Sequence, residues 1–417
     1  MDPITLISLG AGALFVLGVP ILVIIGLWCV GGCVFAGLSL ANLGTTLFEG
    51  LNSYSLLAMP LFVATGDLIG ASGIAKRLTD FAYACMCWFR GGLAMASIMA
   101  CGFFAAISGS NSATAATIGS IMHPEMTKDG YDKKFAAATV AAGGTVGIII
   151  PPSIVFITYG FLMNLCVSDL FLAGLFPGIL MCVCMGLVAF FLSWKNKWGT
   201  VKPLSVKRIG STALHAYLGF FAIGLILYGI YTGQFSPTES AAVCVGFCLI
   251  AGTGITRQIK LRALPDLFFK SGRIVGMIIP LVGVSMVMQQ CLSALEADKW
   301  LFERLSGYGY TGIMIASVII IFIVGMLMES IPAITIVVPI LAPIAHAAGV
   351  DPVHYATIVL VGMAIGFVTP PFGLNLFVAS AVCGVSYAQI VKPTIWYIAA
   401  LLVAWGLTIF FPALCLV

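Results

Sequence analysis

The sequence predicts an all-α polytopic membrane protein built from two inverted repeats, each with a re-entrant helical hairpin followed by a Pro-Pro-broken helix. Three observations predict it. The chain is 61% hydrophobic and only 8% charged, with a mean hydropathy of +1.14, a balance far outside that of soluble domains. A set of landmarks occurs twice. Gly147 to Ser153 (G-I-I-I-P-P-S) answers to Gly366 to Phe372 (G-F-V-T-P-P-F), Gly130 to Gly349 and Pro124 to Pro343, all at one constant offset. Upstream, Met59 to Leu61 (M-P-L) answers to Ile279 to Leu281 (I-P-L), with the offset changed by a single residue. A random apolar chain could repeat one Pro-Pro, but it would not hold the other landmarks in register, so the pattern is an internal duplication. The third observation is that Lys and Arg cluster at the ends of apolar stretches.

The apolar stretches come first. Ile4 to Phe48, Phe135 to Asn164, Leu170 to Ser193, Ala213 to Tyr231 and Val353 to Ala388 are uncharged, and each exceeds the roughly 20 helical residues that cross a hydrocarbon core or comes close to it. The first lacks a basic leading segment and its apolar run is too long for a cleavable signal, so none is expected. The net charge of +4 carries no expectation of a nucleic-acid partner, because the basic residues mark loops and the surrounding solvent is a lipid bilayer.

Those markers orient the chain. Lys195, Lys197, Lys202, Lys207 and Arg208 form one cluster, and Arg257, Lys260, Arg262, Lys270 and Arg273 another; by the positive-inside rule both are cytoplasmic. Two spans fit between them, joined outside by the turn Gly233 to Pro237. Arg90, Lys128, Lys133 and Lys134 put both ends of a further region inside, whereas the matching flanks Tyr308 to Thr311 and His346 to His354 have no Lys or Arg and are expected outside. The repeats would then be inverted, with about ten spanning helices and a periplasmic N-terminus.

Two segments do not read as spans. Gly91 to Met126 is interrupted by Ser108 to Thr114 (S-G-S-N-S-A-T), and Thr311 to Ala348 by Met328 to Pro332 (M-E-S-I-P). Each half, about a dozen residues or more, is read as too short to cross alone; with both ends of the first on the basic side, a hairpin that enters and turns back is expected. Polar, irregular backbone at membrane depth persists only where it lines a cavity or is buried in protein, so the tips are candidate binding elements. Ser, Thr and Gly also permit close helix packing, but packing alone would not put polar breaks at the matched position of both repeats.

After each hairpin comes a helix with its own break, Ala142 to Pro152 and Gly362 to Pro371. Consecutive prolines with upstream glycine open a helix and free carbonyl oxygens. Such carbonyls, with Ser, Thr and Asn oxygens, suit an alkali cation, while the N-terminus of each restarted half-helix suits an anion. Each repeat thus supplies a hairpin tip facing an unwound helix, the signature of a secondary transporter.

These residues resemble a known family. The run Ser108 to Ser120 (S-G-S-N-S-A-T-A-A-T-I-G-S), then G-Y-D-K-K-F-A-A-A and G-I-I-I-P-P-S, resembles the large membrane subunit of tripartite ATP-independent periplasmic (TRAP) transporters. The second half agrees through P-A-I-T-I-V-V-P-I-L-A-P, D-P-V-H-Y and T-P-P-F-G-L-N-L-F-V, and the middle through Y-T-G-Q-F-S-P-T-E-S-A-A-V. The resemblance implies an elevator-type sodium symporter for organic anions, of the ion-transporter superfamily, in a bacterial inner membrane. It implies as partners a small four-helix membrane subunit, expected as a separate polypeptide, and a soluble periplasmic binding protein that delivers substrate. Sodium is the implied coupling ion, with no organic cofactor. A stand-alone divalent-anion/sodium symporter, which shares the hairpins, is the alternative.

The resemblance also implies site residues. The first sodium site would use Ser108, Ser110 and Asn111 with backbone oxygens near Gly144, Gly147, Ile150 and Pro152; the second, the tip at Met328, Glu329 and Ser330 with Gly366, Thr369 and Gly373. Glu329 occupies the slot of Ser110 in the other repeat, either coordinating sodium or holding the tip by hydrogen bonds. Substrate contacts are expected from Asn111, Ser112, Thr145, Ser153 and Asn375, because neither tips nor breaks contain Lys or Arg. The implied division is scaffold helices at 1–50; a first repeat at 51–169 with hairpin 91–126 and broken helix 135–163; scaffold or arm helices at 170–270; a second repeat at 271–388 with hairpin 311–348 and broken helix 353–385; and a scaffold helix at 389–417. The two repeats supply the transport domain.

Other residues read as structural. The cysteines fall mostly in apolar helices without a four-ligand set, and intramembrane Cys is usually a small hydrophobe. His123, His346 and His354 lie near hairpin ends, Asp67 is expected to cap or pair at the interface, and Ile74 to Phe89 and Lys299 to Leu305 read as amphipathic connectors. An intramembrane enzyme would need a nucleophile with a base or a metal pair, and the sequence has no H-E-x-x-H and is read as having no second buried acid to partner Glu329. A channel would need a continuous polar pore, whereas the polar groups concentrate at two mid-membrane points.

Overall fold

The computed structural model describes residues 3–295 and 309–415, and among them it holds helices and turns but no strand. Among the described residues, seven helices are long and apolar enough to cross a bilayer, or eight if Val206–His215 and Tyr217–Tyr231, bent by 64° at their joint, form one span. The halves on either side of each Pro-Pro are shorter. The connector Lys299 to Leu305 and the flank residue Tyr308 lie outside the described residues; its counterpart is the helix Ile74–Met86, which buries Ile74, Ala75, Leu78 and Ala82 on one side.

The first hairpin consists of Gly92–Ser108 and Asn111–Lys128, the second of Gly309–Leu327 and Ser330–Ala347. Their arms have 17 and 18, and 19 and 18 residues, whereas each was expected to be too short to cross alone. The arms of the second, with 19 and 18 residues, reach spanning length. The reason lies in capping. The polar run at the first tip was expected to lie outside the helices, but the second arm starts inside it at Asn111, because Ser110 is its N-cap and accepts from the Ala113 amide at 3.4 Å. Gly109, at φ +61, ends the first arm in the left-handed region. At the second tip Glu329 takes the capping place and accepts from the Ile331 amide at 3.3 Å. A side-chain cap is worth about 1 kcal/mol in water, and an unsatisfied amide costs more where no water can replace it.

The first broken helix runs as Lys133–Gly143, a 3-10 turn Gly144–Ile148, the cis pair Pro151–Pro152, and Ile154–Met163. The second runs as Pro352–Gly366, the cis pair Pro370–Pro371, and Leu374–Cys383. Aspartates start both: Asp132 accepts from the Lys134 amide at 2.7 Å, and Asp351 from the Val353 and His354 amides at 2.9 Å. From Phe135 to Gly160 every residue is buried, and small side chains allow backbones this close. A Cβ at Gly143 would stand 2.8 Å from Cys101 Sγ, and one at Gly366 would overlap the Gly325 backbone.

The two halves of the chain interlock. Leu374–Cys383 packs against Asn111–Lys128 and Lys133–Gly143, while Ile154–Met163 packs against Ser330–Ala347. Val167–Asn196 and Tyr387–Phe410 lie against each other; the former also packs on Gly92–Ser108 and Pro352–Gly366, the latter on Lys133–Gly143. Thr139 and Tyr397 share a hydrogen bond of 2.7 Å at that contact. On the other side, Ala58–Ala71 and Leu264–Ala294 pack together, backed by Pro237–Ile250 and by Ile21–Phe35 and Ala41–Leu51 respectively.

Candidate functional site

The tip of the first hairpin is fastened to the first break. The Ile154 amide donates to the Gly109 carbonyl at 3.4 Å, and a Cβ at Gly109 would stand 2.7 Å from the Pro152 carbonyl oxygen. One at Gly147 would overlap the Ser110 carbonyl, and one at Gly144 would lie 3.1 Å from the Asn111 carbonyl oxygen. Glycine is what permits this approach. Ser108, Ser110 and Asn111 are thereby brought against the carbonyl-rich run Gly144 to Pro152, which includes Ile150. Thr114, not singled out in the sequence, belongs to the same tip: its hydroxyl donates to the Ser110 carbonyl at 2.6 Å and lies 3.1 Å from Ser108 Oγ. A threonine one helical turn after the cap was the available signal.

The expected substrate residues divide. Ser112 lines the cavity described below, with its Oγ 3.4 Å from that of Ser110. Thr145 and Ser153 lie fully buried, and their hydroxyls donate locally, to Ala142 at 2.7 Å and to Ile148 at 2.6 Å. Asn375 is also fully buried; its side-chain amide reaches across to the Ala141 carbonyl at 3.2 Å. Asn375 Oδ1 and Asn111 Nδ2 are buried without a hydrogen-bond partner in the protein. An unpaired acceptor suits a cation or hydroxyl and an unpaired donor suits a carboxylate, and buried polar atoms are seldom left so.

The second site is built differently. Glu329 Oε1 accepts from Ser330 Oγ at 2.8 Å. Met328, next to it, donates its amide back to Val324 at 3.1 Å. The closest approach to Gly366 is made by Gly325 of the hairpin arm. Thr369 donates to the Ile365 carbonyl at 2.8 Å, and Gly373, at φ +56, brings the turn around so that the Asn375 amide reaches the Phe367 carbonyl at 2.9 Å.

Both tips open on one cavity of about 610 Å³, within the size range of small-molecule sites. Ser108, Ser110, Asn111 and Ser112 line it from the first hairpin, and Glu329 and Ser330 from the second. Asp67 and Lys270 line it as well, paired at 2.6 Å. Asp67 was expected to cap or pair at the interface and does pair, but it shares the cavity with Glu329, so a second acid stands there after all. Lys270 read as a loop marker because it falls in a basic cluster; it lies inside the helix Leu264–Ala294. His354 is structural, with Nε2 2.8 Å from the Thr408 carbonyl oxygen.

The chain matches the family model described as "Tripartite ATP-independent periplasmic transporter, DctM component" over residues 9–414. It is 36% identical over 380 residues to the C4-dicarboxylate TRAP transporter large permease protein DctM of Pseudomonas aeruginosa, covering 91% of this chain and 89% of that one. It is also 36% identical over 419 residues to the isethionate TRAP transporter permease protein DctMQ of Oleidesulfovibrio alaskensis, covering 99% of this chain but only 66% of that relative's length. Identity to the ectoine/5-hydroxyectoine TRAP transporter large permease protein UehC of Ruegeria pomeroyi is 34% over 374 residues, covering 89% and 87%. A crystal structure of the YdaH transporter of Alcanivorax borkumensis shares the fold, with a TM-score of 0.58 at 14% identity over 90% of this chain and 89% of that one. With the family model matched along nearly its whole length, this multi-pass membrane chain belongs to the DctM, or large permease, family of tripartite ATP-independent periplasmic transporters.

Proposed function

We propose that the chain carries out sodium-coupled uptake of a small organic acid across the bacterial inner membrane by an elevator movement, receiving its substrate from a periplasmic binding protein and working with a small four-helix membrane subunit. The observation that carries this reading is the single cavity onto which both hairpin tips open with hydroxyl, amide and carboxylate groups. The names of the relatives support the substrate class: their cargoes are a C4-dicarboxylate, isethionate, ectoine and, in a further relative from Vibrio cholerae, sialic acid. All carry a carboxylate or a sulfonate.

In this reading one sodium ion is held by Ser108, Ser110 and Asn111 with carbonyls of Gly144, Gly147, Ile150 and Pro152. A second is held around Met328, Glu329 and Ser330 with Gly366, Thr369 and Gly373. Asn111 and Ser112 face the substrate from the cavity wall, with Asn375, Thr145 and Ser153 shaping the breaks behind them. Each net positive charge moved inward releases about 2.3 kcal/mol per 100 mV, enough to drive accumulation when sodium exceeds the anion's charge. The repeats are read as inverted, and the moving body as the two hairpins and two broken helices. Val167–Asn196 and Tyr387–Phe410, which the sequence division left with the scaffold, pack on those elements, as do Ala58–Ala71 and Leu264–Ala294.

The test is uptake of radiolabelled isethionate and succinate into proteoliposomes containing the chain alone, the chain with its small subunit, or both with a substrate-loaded binding protein. Uptake is expected only with all three. Saturable sodium-driven uptake by the chain alone would instead place it with the stand-alone anion symporters.

A further inference from the structure

Among the described residues that line the cavity, one side chain is basic, and it is Lys270. Its Nζ donates to Asp67 Oδ1 at 2.6 Å, and Ser271 Oγ donates to Asp67 Oδ2 at 2.7 Å. Asp67 is thus held at both carboxylate oxygens, from two successive residues of a neighbouring helix. The exposures are unequal: 12% for the Asp67 side chain and 65% for that of Lys270. Here the carboxylate is covered and fixed, and the ammonium is left open. An ammonium has three donor hydrogens; Asp67 takes one.

The position fits an anion's route. Lys270 lies in the opening turns of Leu264–Ala294, just after the basic segment Arg257 to Arg262 that marks the cytoplasmic side. The polar hairpin residues on the same cavity are Ser108, Ser110, Asn111, Ser112, Glu329 and Ser330. The lining sets two acids, Glu329 and Asp67, against one lysine, a balance that does not by itself favour an organic anion unless cations accompany it. Sodium ions supply part of that compensation, and the ammonium supplies a directed hydrogen-bonded contact, stronger than a neutral one.

We infer that Lys270, positioned by Asp67, is the cationic contact for the carboxylate or sulfonate of the transported acid in this cavity, and that it selects anionic over neutral solutes. The inference rests on the organic-acid reading above. It adds a residue outside the tips and breaks, where no Lys or Arg occurs.

The test uses the full chain purified with its small subunit, in sodium, with equilibrium binding of isethionate and of succinate as probes. Lys270→Gln is expected to raise both dissociation constants about threefold to tenfold, and Lys270→Arg to stay within about twofold of the unaltered protein. Asp67→Asn, which loosens the ammonium without removing it, should fall between. Added potassium chloride should shrink the difference between Lys270→Gln and the unaltered protein, because an open charge contact is screened over about 10 Å at 0.1 M salt. With each probe held at the same multiple of the variant's own dissociation constant, the concentration of sodium needed for half-maximal binding should not move. Equal affinity in Lys270→Gln, or a loss in it that salt leaves unchanged, overturns the assignment while leaving the organic-acid reading intact. No saturable binding of either probe to the unaltered complex counts against both.

Discussion

Asn375, in the second broken helix, donates its side-chain amide to the carbonyl of Ala141 in the first, 3.2 Å away and 234 residues earlier in the chain. One hydrogen bond therefore ties the two breaks together at full burial, and it leaves Asn375 Oδ1 without a partner in the protein. Breaks held to each other would move as one body, which is what an elevator step requires of them.

Replacing Asn375 by Ala should leave the Ala141 carbonyl unpaired and cost about 1–3 kcal/mol. Asn375→Asp should be worse, because it turns a carboxylate toward a carbonyl. Thermal unfolding of the purified chain measures both. Equal melting temperatures for Asn375→Ala and the unaltered protein would show that the bond contributes nothing to the junction.

Close backbone approach should make two glycines intolerant of a methyl group. Gly147→Ala would meet the Ser110 carbonyl and Gly366→Ala the Gly325 backbone, so each is expected to destabilise by about 1–3 kcal/mol and to lower uptake per folded molecule. Gly186 has no neighbour within 4 Å of an added Cβ; in mid-helix, Gly186→Ala should be neutral or stabilising by up to about 1 kcal/mol. If all three variants melt together, tip and break are not packed as described.

Glu329 caps the second arm of its hairpin and faces the cavity. An unpaired acid at this depth would cost roughly 2.5 kcal/mol or more on insertion scales, and Ser330 and the Ile331 amide meet part of that demand. If the carboxylate also binds sodium, Glu329→Gln should fold and insert normally but shift the sodium dependence of uptake to higher concentration. If it only caps, Glu329→Gln should leave the sodium curve in place, while Glu329→Ala loses folded protein. Uptake against sodium concentration, normalised to protein in the membrane, separates the two roles.

Much of this was legible in the sequence because it is local. Pro-Pro with upstream glycine opens a helix wherever it stands, whereas Ser110, Ser153, Asp132 and Asp351, which cap the helices that follow them, were not read as caps. The duplicated landmarks did the rest by pointing to matched elements. What stayed hidden depends on residues far apart in the chain. Lys270 and Asp67 are 203 residues apart, and nothing in either neighbourhood marks the other; a lysine in a basic cluster reads as a topology signal until the helix that carries it is set against Ala58–Ala71. The extra length of the hairpin arms was missed for a local reason: a serine that caps a helix looks like a residue that interrupts one.

Coupling to sodium is the central claim, and gradient dependence tests it most directly. Proteoliposomes holding the chain and its small subunit, supplied with substrate-loaded binding protein, should accumulate substrate only under an inward sodium gradient. Replacing sodium by potassium should reduce uptake to background, and an inside-negative potential should raise it if net positive charge enters. Undiminished uptake in sodium-free buffer, driven by a proton gradient alone, would contradict the claim.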